Sequence, residues 1–213
     1  MRKEIEQREW LKSTFSLVDE VPSDQELKLP QPPLEKPEEA GTVWIELPKL
    51  SSSDFDVVNP YELITDRVSH RSFKDREMSL KDLSFLLWST QGVKEVRGNQ
   101  YAALRTVPSA GARHPFETYL VVHHVESLKS GVYRYSGLRH SITCVFEDSD
   151  TIVKAIDYAG GQKFAGNCNV LFVWAALPYR GEWRYKTRSH KAMLLVAGHV
   201  CQNLYIACQA IHM

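Results

Sequence analysis

The C-terminal stretch constrains the fold more than any other. In "HKAMLLVAGHVCQNLYIACQAI", Met193, Ala197, Val200, Leu204, Ala207 and Ile211 recur every three or four positions. That spacing gathers apolar groups on one stripe of a helix. A helix of ~20 residues is about 30 Å long. "NVLFVWAAL" (169–177) is apolar throughout and reads as a central strand covered on both faces.

The rest of the body follows the same logic. "NPYELITDR" starts a helix, with Asn59 as N-cap, Pro60 at the first helical position and Glu62 at capping-box spacing. "SLKDLSFLLWSTQG" starts another, capped by Ser79 and stopped by Gly92, with Leu80, Leu83, Leu87 and Trp88 on its apolar side. A glycine- and arginine-containing loop leads through "VPSAGARHP" to the strand "ETYLVVHHV". "GVYRYSGLRHSITCVF" reads as a hairpin about a Ser-Gly turn, and "DSDTIVKAIDYAG" as an amphipathic helix. The sum is an α+β fold, several helices around one mixed sheet.

Residues 1–56 differ in character. "VPSDQELKLPQPPLEKPEE" is rich in proline and charge and has no periodicity, so it cannot hold a core of its own. It reads as an extended arm, with "TVWIELP" (42–48) as its apolar anchor and the body beginning at residue 57.

Composition excludes several functions. The 26 Lys and Arg balance 26 Asp and Glu, which leaves no broad basic face for nucleic acid or an anionic membrane. "MRKEIEQREWLKSTF" is too polar for a signal-peptide core. No apolar run approaches the ~18 residues that span a bilayer. Cys144, Cys168, Cys201 and Cys208 show no C-x-x-C spacing and read as reduced, buried small hydrophobes of a cytoplasmic protein. His123 and His124, adjacent on a strand, face opposite ways and do not make a joint metal site. His199, with Gln202 and Asn203 one turn on, suits a helix–helix hydrogen bond, and no metal site is expected.

Two stretches carry candidate chemistry. "DRVSHRSFKD" (66–75) concentrates cations behind the first body helix. Arg67, Ser69 and Arg71 alternate, so in an extended segment they share one side. Two guanidinium forks about a hydroxyl suit a phosphate, while a solvated loop at a helix C-terminus explains one arginine equally well. In "TVPSAGARHPF" (106–116), Ala110, Gly111 and Ala112 let backbone approach a flat ligand closely, and an ordinary tight loop is the alternative. No G-x-S-x-G, P-loop or G-x-G-x-x-G motif is present.

Together, "RVSHRSF", "LSFLLWSTQGV", "PSAGARHPFETYLVV", "SGVYRYSGLRHSI" and "RYKTRSHKAMLLVAGHVCQNLYIACQAI" resemble the nitroreductase-like flavoprotein family, in particular its SagB-type, thiazole/oxazole dehydrogenase-like branch. The resemblance runs from about residue 20 to the end. It implies a nitroreductase-like α+β domain over 57–213, an intertwined homodimer, and FMN held without a Rossmann fold. It implies that Arg67, Ser69 and Arg71 hold the FMN phosphate and ribityl chain. Pro108, Ser109, Ala110, Gly111 and Arg113 then line the flavin, partly from across the dimer. NAD(P)H is the implied electron donor, and the acceptor is a small molecule or a group borne on a peptide. Tyr185 corresponds to the tyrosine of a Lys-Tyr pair associated with azoline oxidation, with Arg184 where lysine is expected.

The family normally continues past this last helix through a Gly-rich segment and a further strand, whereas this sequence stops at Met213. Val196 stands where the branch usually has an acidic residue, and His190 replaces an aromatic. Two readings follow: an FMN-dependent oxidoreductase, or a C-terminally shortened, non-catalytic relative acting as a dimeric scaffold or partner-binding protein.

Overall fold

A computed structural model describes residues 21–148 and 161–213. The helix expected in "DSDTIVKAIDYAG" lies, but for its first residue, outside the described residues. Along the described chain run β1 (Ile45–Glu46), α1 (Pro60–Thr65), α2 (Leu80–Gln91), β2 (Val93–Arg97), β3 (Ala102–Arg105), β4 (Phe116–Val122), β5 (Gly131–Ser136), β6 (Ser141–Glu147), β7 (Val170–Ala176), α3 (Tyr179–Tyr185) and α4 (Arg188–Ala210).

Both expected caps form. Asn59 accepts the Tyr61 amide through its side chain at 3.0 Å, and Ser79 accepts the Asp82 amide at 3.0 Å. Gly92 ends α2 where the Trp88 ring lies against its backbone; a β-carbon there would sit 2.5 Å from Trp88 Cδ1. The α2 face differs from the expectation at two positions. Leu83, Leu86 and Leu87 are fully buried, whereas Trp88 is 39% exposed. Each buried leucine contributes about 1.5–3 kcal/mol.

The main sheet has the order β1-β6-β5-β4-β7. Its pairings are antiparallel, with one parallel bridge between Met78 and Val125 outside it. β5 and β6 form the expected hairpin. The segment read as a loop before "VPSAGARHP" is instead a second hairpin, β2–β3. β7 corrects a larger expectation. It pairs with β4 alone among the described strands and stands at the sheet edge, with most of its side chains only half-buried. An apolar run identifies a strand but carries no information about its neighbours.

α2 covers one face of the sheet through Leu83, Leu86, Leu87, Leu120, Ile142 and Tyr135. A second cluster joins Val196 and Val200 of α4 to Val107 and Phe116. The stripe read from the sequence holds: Val200 and Ala207 are buried, and Met193, Ala197, Leu204 and Ile211 pack partly buried against the two clusters. Asn203 bonds the Ser89 carbonyl at 2.8 Å, so it, and not His199, joins α4 to α2. His199 bonds Leu195 of its own helix.

The arm is tied down along its described length. Trp183 Nε1 donates to the Leu29 carbonyl at 3.1 Å, and the Gln25 amide donates to the Trp183 carbonyl at 2.9 Å. Glu35 accepts from Arg105 Nη2 (2.9 Å), Ser136 Oγ (2.7 Å) and the amides of Gly137 and Leu138. Within "TVWIELP", β1 pairs with β6, Leu47 enters the core, and Trp44 lies beneath Arg134 and Arg139. A relay of Tyr135, His140 and Ser84 ends on the Pro48 carbonyl. The cysteines are all free, and Cys144 is exposed, contrary to the expectation of burial. Desolvation pushes the Cys208 thiol up to about 11. No helix of the described residues is long and apolar enough to cross a membrane.

Candidate functional site

α1 ends at Thr65, with Asp66 as its C-cap, and the chain runs on without regular structure through Arg67, Ser69 and Arg71. The guanidinium carbon of Arg67 lies 5.4 Å from the centre of the Tyr205 ring on α4. That of Arg71 lies 5.9 Å from the Phe164 ring. Ser69 and Arg71 are exposed and Arg67 is half-buried. Among the described residues neither arginine is ion-paired, so their donors are open to an anion.

The second stretch folds into a tight 3₁₀ turn, Ala110–Ala112. Gly111, Ala112 and His114 all have positive φ, at 56°, 52° and 41°, a region that small side chains enter at least cost. Ser109 Oγ accepts the His114 amide at 3.0 Å and closes the loop. Pro108 and Ala110 are exposed. The Tyr185 hydroxyl packs on Gly111 so closely that a β-carbon there would meet it at 2.6 Å. Sequence reading named these residues separately, and the fold places Tyr185 against the loop. Ser109, Ala110, Tyr185, Met193 and Val196 border a crevice of about 10 Å³, room for a single water molecule and not for a flat ring.

Arg113 faces inward. It is 4% exposed, stacked between the Tyr101 and Trp183 rings at 5.1 and 5.5 Å, and donates to the Tyr101 and Gly111 carbonyls. It braces the loop from behind.

Beneath the loop lies a charged layer that the sequence reading missed. Glu117 accepts from Arg180 and, at 2.7 Å, from the Lys36 amide. Arg180 Nε donates to the Pro33 carbonyl at 3.0 Å, and Arg134 donates to the Lys36 carbonyl at 2.9 Å. His114, 4% exposed, is pushed down to about 3 by desolvation and then by the neighbouring Arg105, so it is neutral. The only available signal was the sequence "PYRG" with "HPFE", which carries no motif. His190 is paired with Glu182 at 2.6 Å. The His123 and His124 rings lie 6.3 Å apart just past β4, and no group of three or more metal-ligating side chains occurs among the described residues.

The two halves of the candidate site therefore lie at different points along α4. Arg67 meets Tyr205, and the loop meets Met193. Twelve helical residues separate them, about 18 Å of helix.

Comparison with known proteins places the chain. The nitroreductase family matches residues 64–212. A predicted nitroreductase of Methanocaldococcus jannaschii is 31% identical over 165 residues, which is 78% of each chain. The trifolitoxin-processing protein TfxB of Rhizobium leguminosarum bv. trifolii is 30% identical over 142 residues, 62% of this chain and 38% of its own. Among solved structures, a predicted nitroreductase of Ralstonia eutropha superposes with a TM-score of 0.63 at 23% identity, covering 86% of this chain and 81% of its own. One from Anabaena variabilis gives 0.65 at 21% identity, covering 94% of this chain and 37% of its own. A chain of the E. coli microcin synthetase McbBCD complex with truncated pro-MccB17 bound gives 0.54 at 18%, covering 81% of this chain and 65% of its own. This chain thus spans well under half the length of TfxB and of the Anabaena protein. By the family match over residues 64–212 and the 31% identity with the methanogen protein over 78% of its length, the chain belongs to the nitroreductase family.

Proposed function

We propose that the chain is an FMN-dependent oxidoreductase working as a homodimer, with NAD(P)H as electron donor and a small-molecule or peptide-borne acceptor. One observation carries this reading: the chain presents both an open pair of arginines, Arg67 beside Tyr205 of α4 and Arg71 beside Phe164, and a loop of minimal side chains backed by Tyr185. Arg67, Ser69 and Arg71 would hold the phosphate of FMN. Pro108, Ser109, Ala110 and Gly111 would offer a flat wall, and Arg113 would stiffen it. FMN supplies the electron-transfer chemistry when bound.

The crevice inside one chain has no room for a flat ring, so the wall acts from its exposed side and the grip comes from a second copy. Unpartnered apolar side chains support the pairing: Tyr61 and Ile64 of α1 are 74% and 69% exposed, and Leu194 and Leu195 of α4 are 61% and 67% exposed. In this arrangement Tyr185 is positioned to hold or pass a proton at its hydroxyl. The likeness to TfxB and to a microcin synthetase chain favours a peptide-borne acceptor of SagB type, and Arg184 supplies the cation beside Tyr185.

Purification with FMN tests the proposal. A yellow dimer whose flavin absorbance bleaches with NADPH or NADH is the expected result. A monomer that takes up no FMN and gains no thermal stability from it sinks the reading, since a ligand of the native state stabilises it.

A further inference from the structure

The arm crosses α3 before it reaches its first buried apolar anchor, Leu34. Val21, Leu27 and Leu29 are all exposed, so residues 21–29 are held on the body by polar contacts and not by buried apolar surface. The segment keeps a shape of its own. The Leu27 and Leu29 amides donate back to the Ser23 and Asp24 carbonyls at 3.0 and 2.9 Å, and Glu26 accepts from the Ser23 amide and hydroxyl.

Its contacts with the body converge on α3 and its surroundings. The Val21 carbonyl accepts from Lys186, and Asp24 accepts from the Tyr179 hydroxyl at 2.8 Å. The Gln25 amide donates to the Trp183 carbonyl, and Trp183 Nε1 donates to the Leu29 carbonyl. Gln25 Nε2 donates to the Tyr101 hydroxyl at 2.8 Å. Trp183 and Tyr101 are also the two rings that clasp Arg113. Arg113 Nε donates to the Gly111 carbonyl at 3.0 Å and Nη2 to the Tyr101 carbonyl at 2.6 Å. One guanidinium thus stands between two attachment points of the arm and the backbone of the loop. Its rigid planar fork, stacked on both faces, fixes the direction of the Gly111 peptide. The loop's own bonds are few: Ala112 and Arg113 amides to the Ser109 and Ala110 carbonyls, and the His114 amide to Ser109 Oγ. A segment with so few bonds opens at low cost unless it is braced.

We propose that Trp183 is a positioning residue that couples the arm to the Gly111 loop. With residues 21–29 docked, Trp183 and Tyr101 hold Arg113, and Arg113 holds the loop; with them released, the loop loosens. The role of this coupling in turnover rests on the flavin reading, in which the loop is the wall against the ring. The coupling itself does not.

Amide hydrogen exchange on the full chain without FMN tests the coupling. Trp183→Phe keeps a ring over Arg113 and removes the bond to Leu29, while Gln25→Ala removes the bond to Tyr101. In Gln25→Ala/Trp183→Phe, exchange should quicken about tenfold or more at the amide of residue 25 and at those of Ala112, Arg113 and His114, the value of one to two net hydrogen bonds. Neither deleted polar group touches the loop. Gln25→Ala alone should give a smaller rise at both places, and Glu38→Ala, elsewhere on the arm, should change neither. Faster exchange at residue 25 with an unchanged loop overturns the proposal, as does no change at either place. Acceleration shared equally by the β4 amides in both Gln25→Ala and the double variant also overturns it, because that is general destabilisation. Coupling is reciprocal, so FMN on the loop should slow exchange at the Gln25 amide of the wild type. Bound FMN with unchanged Gln25 exchange overturns the role in placing the flavin. No FMN uptake overturns the flavin reading, and ligand-free exchange alone then decides the coupling.

Discussion

Glu35 of the arm and Arg105 of β3 form an ion pair at 2.9 Å with side chains 10% and 3% exposed, 70 residues apart in sequence. The pair is buried between the arm and the sheet, so the arm is part of the folded body. Removing one partner leaves an uncompensated buried charge, which costs about 3–5 kcal/mol. Glu35→Ala should lower the urea midpoint accordingly. Glu38→Ala, which breaks an exposed pair with Arg139, should leave the midpoint unchanged. Equal effects of the two would show that the arm contributes no buried electrostatics.

Buried His114 predicts how stability depends on pH. Its native value lies near 3, against about 6.5 in the unfolded chain. Between those values the unfolded chain binds a proton that the folded one refuses. Stability is therefore intact above about pH 6.5 and falls as pH drops towards 3, by up to about 1.4 kcal/mol per pH unit. Between pH 6.5 and 5, before most carboxylates titrate, His114→Gln should flatten that slope. Chemical denaturation across this range, read by tryptophan fluorescence, provides the measurement.

Arg67→Ala and Arg71→Ala should each weaken FMN binding by roughly 1.5–3 kcal/mol, about one to two decades in Kd, the value of a hydrogen bond to a charged group. Both side chains project from irregular, largely exposed backbone, so the thermal midpoint without FMN should hold. Unchanged flavin occupancy in both variants would remove the phosphate-grip assignment.

Gly111→Ala places a methyl 2.6 Å from the Tyr185 hydroxyl at a φ of +56°. Its destabilisation should be about 1–2 kcal/mol. Tyr185→Phe removes the clashing oxygen, so Gly111→Ala/Tyr185→Phe should cost less than the sum of the single changes. Strict additivity would show that the two residues do not touch.

The resemblance to the family was legible because its motifs are contiguous, and "RVSHRSF" and "PSAGARHPFETYLVV" can be read without knowing what they face. The direction of Arg113 was not legible. An arginine beside a Gly-rich loop is spelled the same whether it reaches a ligand or, as here, stacks between Tyr101 and Trp183. The β2–β3 hairpin was also missed, since "VKEVRGNQYAALR" mixes charge with only a brief alternation.

By itself the sequence determined what depends on residues within a helical turn of each other. These are the Asn59 and Ser79 caps, the stop at Gly92 and the apolar stripe from Met193 to Ile211. Capping and amphipathicity are set by bonds and spacings of two to four residues, so they leave a periodic trace. Only the tertiary structure decided that β7 stands at the edge of the described strands, that Glu35 and Glu117 pair with arginines 70 and 63 residues away, and that Tyr185 rests on Gly111. Those contacts follow from how the sheet and α4 bring distant segments together, and chemical identity alone does not encode which charge meets which.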